Sequence, residues 1–87
     1  MQEKLYPFSA KKHIHDLSFR SDRLANDIAR FGAKYANSTT VKYMQELKER
    51  LDAIICIAAG GVSPIWLTAE EYRLAVETVG WAAEHRQ

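Results

Sequence analysis

One cysteine, two prolines, four glycines and a net charge of only +1 are what 87 residues hold of the features that would identify many protein classes. A single cysteine makes neither an internal disulfide nor a cysteine-based zinc site, so a reducing compartment is the expectation. Twelve Lys and Arg against eleven Asp and Glu leave no basic excess of the kind a dedicated nucleic-acid binder carries. The longest uninterrupted apolar run, Ala53–Ala59, is far too short to span a membrane. Met1–Phe8 lacks the apolar run of a signal peptide. A cytoplasmic domain without membrane contact is expected, with nucleic acid ranked last among its partners. A chain of this length builds one modest core and no separate catalytic domain.

What the sequence does have is helical periodicity. Ala10, Ile14, Leu17, Ser21, Leu24, Ile28, Phe31 and Tyr35 follow alternating steps of four and three. The strong part is Leu17–Tyr35. Asp16, Ser18 and Ser21 offer alternative caps, so the residues before it read as a separate short helix or as a continuation. Asn37-Ser38-Thr39-Thr40 is the first clear break, with Thr39 or Thr40 as the next cap.

Val41, Met44, Leu47 and Leu51 then mark one face of a central helix, and from Ala53 its polar face disappears. A helix apolar all round is expected to be covered all round, which makes Cys56 a small core residue. Gly60-Gly61 ends this helix, and Val62–Leu67 is a short apolar connector. Thr68-Ala69-Glu70-Glu71 is a capping box that opens the last helix, with Tyr72, Val76, Val79 and Ala83 on one face. No strand-like alternation is seen.

The expected fold is all-α, a compact three- or four-helix bundle with its longest helices near 16–36, 40–59 and 68–85. Residues 1–8 read as an N-terminal arm, with Ser9 as a cap, and residues 9–87 as a single helical domain.

No catalytic constellation and no cofactor signature appears, so a non-catalytic role is expected. His13 and His15 lie about 200° apart on a helix and cannot share one metal ion with Asp16. Ala58–Ser63 resembles the glycine-valine-serine turn of bacterial helix-turn-helix repressors. It departs at Ile57, where a small residue is expected, and the recognition helix would present Ile65, Trp66, Leu67, Glu70 and Glu71. Such a surface repels phosphate and offers no Arg or Asn fork for bases.

Two other groups carry more. Arg20, Arg23, Arg30 and Lys34 line one flank of the first helix and are the candidate site for an anionic ligand or an acidic protein surface. Asp16–Arg20 and Arg23–Asp27 pairs would make the same flank an ordinary solvated face. Phe19, Trp66, Leu74 and Trp81 add large apolar surface outside the main stripes, beside a ridge of Ala25, Ala29, Gly32, Ala33 and Ala36. A bundle this small leaves some of it for a protein interface, unless the arm covers it with Leu5, Tyr6 and Phe8.

The leading expectation is a small helical binding protein, an inhibitor, adaptor or regulatory subunit acting through protein–protein contacts or as a homo-oligomer. Stand-alone domains of this kind are common in phages and mobile elements. The alternative is a homo-oligomer that binds a small phosphate-bearing ligand such as a nucleotide. The tail Val79–His85 resembles the C-terminal helix of phage proteins that sequester cyclic nucleotides, through its Trp-Ala pair. Enzyme and helix-turn-helix DNA binder follow.

Overall fold

Helix breakers and caps mark the joints of the chain. In a computed structural model, which describes residues 3–86, the order is β1 (Tyr6–Phe8), α1 (Ala10–Tyr35), α2 (Thr39–Ala58), β2 (Ile65–Leu67) and α3 (Ala69–His85). Residues 1 and 2 of the expected arm, and Gln87 at the end of the expected helical domain, lie outside the described residues. The fold is all-α, and among the described residues there are three helices rather than four, none of them long and apolar enough to cross a membrane.

α1 is one continuous helix of 26 residues beginning at Ala10, six positions before the expected start. The alternative caps are engaged elsewhere. The Ser21 hydroxyl donates to Asp52 across the α1–α2 interface, and Asp16 is bound by Arg86. Ser9 occupies the N-cap position without a side-chain cap bond. Ser38, not Thr39 or Thr40, caps α2 by accepting from the Thr40 amide at 3.1 Å. α2 ends at Ala58, and the chain leaves through Gly61 at φ 83°, a left-handed conformation that suits glycine. The Thr68–Glu71 capping box is present in both directions, Thr68 accepting from the Glu71 amide and Glu71 from the Thr68 amide.

The arm and the connector form strands, against the expectation of none. β1 and β2 pair antiparallel with Tyr6 opposite Leu67, Pro7 opposite Trp66 and Phe8 opposite Ile65. Phe8, Ile65 and Leu67 are buried, while Pro7 and Trp66 are exposed. Three residues per strand are too few for a period-two pattern to stand out, and Pro7 is tolerated because both strands are edges.

The core is Leu17 and Leu24 of α1, Leu51, Ile54 and Ala58 of α2, Ala75 of α3, and the inward strand residues. α3 turns a different face inward from the one expected. Ala75, Thr78 and Ala82 are buried, flanked by half-buried Leu74 and Trp81 on one side and Tyr72 and Val79 on the other. Val76 and Ala83 are exposed. Small residues in this stripe let α3 approach closely. The one buried hydroxyl on it, Thr78, donates to the Leu74 carbonyl at 2.7 Å.

The second half of α2 is not wrapped, and Cys56 is not a core residue. Ala53 and Cys56 are exposed, and Ile57 keeps 48% of its surface. That side of α2 faces solvent, and among the described residues no helix covers it as the apolar run anticipates. The molecule is flat, measuring 41 × 37 × 22 Å.

Asp52 ties α1 to α2. The Ser21 hydroxyl and Lys48 Nζ each donate to its carboxylate at 2.5 Å. Partial burial pushes this carboxyl up, but the hydrogen bonds from Lys48 and Ser21 and the Lys48 charge outweigh it and hold it below its usual value of 3.8. A group depressed in the folded state stabilises the fold above its unfolded pKa, and that contribution fades as pH falls through the lower folded value. The urea midpoint should therefore fall as the pH is taken below about 4, and less steeply in Asp52→Asn. Parallel pH profiles for the two proteins would show that this carboxylate is not responsible.

Candidate functional site

The two groups singled out in the sequence are distributed differently by the fold. Phe19 and Trp81 meet, with ring centroids 5.3 Å apart, although they lie on different helices. Trp81 also stacks on His85 at 4.2 Å and carries the Arg20 guanidinium 5.3 Å from its ring. His85 is held in place by donating from Nδ1 to the Trp81 carbonyl at 2.8 Å. Beside this stack, Arg86 binds Asp16, whose other oxygen lies 3.4 Å from His13 Nδ1. His15 is exposed. The cluster therefore closes the end of α3 onto the first turns of α1, with Trp81 half-buried between a ring, an imidazole and a guanidinium.

Trp66 is elsewhere. It points outward from β2, 59% exposed, and Leu74 is half-buried against the core. The four expected interface residues are thus one paired set, one isolated ring and one core flank.

The cationic flank is likewise split. Arg20 is on Trp81, not on Asp16 as expected, because Arg86 occupies that carboxylate. Arg23 pairs with Asp27 at 3.6 Å, as expected. Arg30 and Lys34 lie 6.0 and 5.6 Å from the rings of Phe31 and Tyr35, their own neighbours on α1. All four of these last residues are exposed, and neither cation has a carboxylate within 4.0 Å among the described residues. The ridge at Ala25, Ala29, Ala33 and Ala36 is also exposed, whereas Gly32 packs beside Val41.

A feature the sequence reading missed is the groove that opens where α3 leaves α2, a cavity of about 590 Å³. Tyr43, Leu47 and Ala53 form its α2 wall, and Leu74 with Glu70 and Glu77 form its α3 wall. The carboxylates of α3 thus border a partly apolar depression. Glu71 is committed to the capping box, and Arg50 at the α2 rim is paired with Glu46 at 3.0 Å. Glu70 and Glu77 are free of such pairs among the described residues. The signal that could have located this groove is the seven-residue spacing of Glu70, Glu77 and Glu84 along the edge of Leu74 and Trp81.

The turn that resembles a helix-turn-helix leads into β2 instead. Ile65–Leu67, which would begin a recognition helix, is extended, and α3 starts only at Ala69. No protein-family model, no curated protein and no solved structure matches this chain.

Proposed function

We propose that this chain is a non-catalytic helical binding protein that works through protein–protein contacts, association with its own copies first among them. The observation that carries this reading is surplus surface. The chain exposes 6296 Å², whereas a compact monomer of its mass exposes about 5,200 Å². Its radius of gyration is 13.9 Å, against about 12 Å for a compact domain of this length. Each partner in a standard protein interface contributes about 800 Å², so the surplus is of the size that one such contact covers.

The nature of that surface supports the same reading. Phe31 and Tyr35 continue the stripe that buries Leu17 and Leu24, yet they remain 41% and 52% exposed. Tyr43 and Ile57 of α2 are also exposed. An inhibitor, adaptor or regulatory subunit fits such a protein. Binding of a phosphate-bearing ligand has less support, since Arg20 and Arg23 are engaged within the chain and leave only Arg30 and Lys34.

Sedimentation velocity over a range of about 5–500 µM tests this, a window that captures dissociation constants typical of modest interfaces. The weight-average mass should rise with concentration toward a discrete oligomer. A monomer across the whole range would overturn the proposal.

A further inference from the structure

The geometry points to one occupant for the α2–α3 groove: the C-terminal half of α1 from a second copy of this chain, with Arg30 and Lys34 set against Glu70 and Glu77. This rests on the reading that the protein acts through contacts with its own copies, and it says which surfaces meet.

Four observations converge on it. The groove presents apolar atoms of Tyr43, Leu47 and Leu74 between charged rims and is open to solvent, so it suits a helix that carries both rings and charges. The end of α1 offers Phe31 and Tyr35, large exposed rings on a stripe that is buried or half-buried from Ala10 to Ile28. That end cannot fill the groove of its own chain, because its Gly32 side is already packed beside Val41 of α2. A second copy is under no such constraint.

Charge is complementary in sign. Glu70, Glu77 and Glu84 recur every seven residues on α3, all exposed and without an ion-pair partner among the described residues. On α1, Arg23 is engaged with Asp27, and Arg30 and Lys34, one turn apart, are the cations left to face this acidic edge. Opposite charges flanking an apolar seam help paired helices choose their partner. Arg73 stands on the α3 rim as well, but with Arg50 already paired to Glu46 the rim is net acidic.

Area and symmetry complete the argument. In a two-fold dimer each α1 end enters the other copy's groove, so one kind of contact is made twice and the assembly closes. Two such contacts would cover surface of the order of the surplus each chain carries, about 800–1,100 Å² per partner.

The test is a charge exchange read by sedimentation velocity, with far-ultraviolet circular dichroism to confirm helix content. One variant carries Arg30→Glu and Lys34→Glu, the other Glu70→Lys and Glu77→Lys. Each alone places like charges at both contacts and should dimerise at least about tenfold more weakly than the unaltered chain. Mixed in equal amounts, the two restore opposite charges at both contacts and should form a heterodimer within about threefold of the original affinity.

Glu70 lies in the first turn of α3, where a carboxylate favours the helix. If the Glu70 change loosens that helix, Glu77→Lys alone makes the same test, with a shift of about threefold expected. Association of either double variant as tight as the original, or a mixture that stays monomeric, would overturn the groove assignment and leave self-association standing. A monomer for the unaltered chain would overturn both.

Discussion

Leu51→Ala should lose about 3–4 kcal/mol of folding stability. Leu51 is completely buried and belongs to the same cluster as Leu17, Ile54 and Leu67, so it packs on α1, on its own helix and beneath the strand pair. Truncation removes its apolar contacts and leaves a void that helices already fixed by their own hydrogen bonds collapse into only partly. An 87-residue domain is stable by about 4–13 kcal/mol in total, so this one change takes a large share and at the low end leaves up to about half of the molecules unfolded. Urea titration followed by circular dichroism measures it. The control is Ile57→Ala, two turns along the same helix, which should cost less than about 1 kcal/mol because half of that side chain is already in water. Equal losses at the two positions would mean that the open side of α2 is covered in solution, as the apolar run alone suggests.

That contrast separates what was legible in the sequence from what was not. Both residues lie on α2, and the periodicity identified the helix with its ends displaced by a single residue, Thr39–Ala58 against 40–59. Local chemistry determines such limits: a capping hydroxyl, a glycine beyond the last turn, a capping box at Thr68. Which apolar residues are covered is decided by where the next helix goes. Among the described residues no helix lies over the outer side of Ala53–Ile57, and nothing within Ala53–Ala59 reports that, so Cys56 and Ile57 read as core while facing water. Likewise, Ser21 and Asp16 read as caps because the residues that engage them, Asp52 and Arg86, are 31 and 70 positions away.

The candidate site shows the same division. Phe19 and Trp81 were selected singly, for being off the main stripes, and their contact requires α3 to cross the start of α1. The cations form a row in the sequence, but Arg20 is drawn out of it by Trp81, and the row ends in Arg30 and Lys34 on the exposed side of a helix end whose other side packs on α2. The groove has walls from α2 and α3, so no window along the chain contains it. Only its acidic edge, with heptad spacing, was there to be read.

The two tryptophans give the second large effect, because the fold assigns them opposite roles. The sequence alone groups Trp66 and Trp81 together as interface residues. In the structure Trp81 holds α3 to α1: Phe19 lies on it, Arg20 sits over it and His85 stacks against it. Full burial would make Trp→Ala cost about 3–5 kcal/mol, and half-burial reduces this to about 2 kcal/mol, part of it the lost guanidinium–ring attraction. For a domain of this size that lowers the melting temperature by on the order of 10 °C. Trp66 touches water on its outer side and faces Pro7 across the strand pair, so Trp66→Ala should cost less than about 0.5 kcal/mol. Trp81→Phe should recover most of the loss, since a ring remains for Phe19 and Arg20 to meet. Thermal melts of the three variants decide it. If Trp66→Ala is the more damaging, the outward face of β2 is buried in the working assembly, and the interface extends to the strands rather than stopping at the groove.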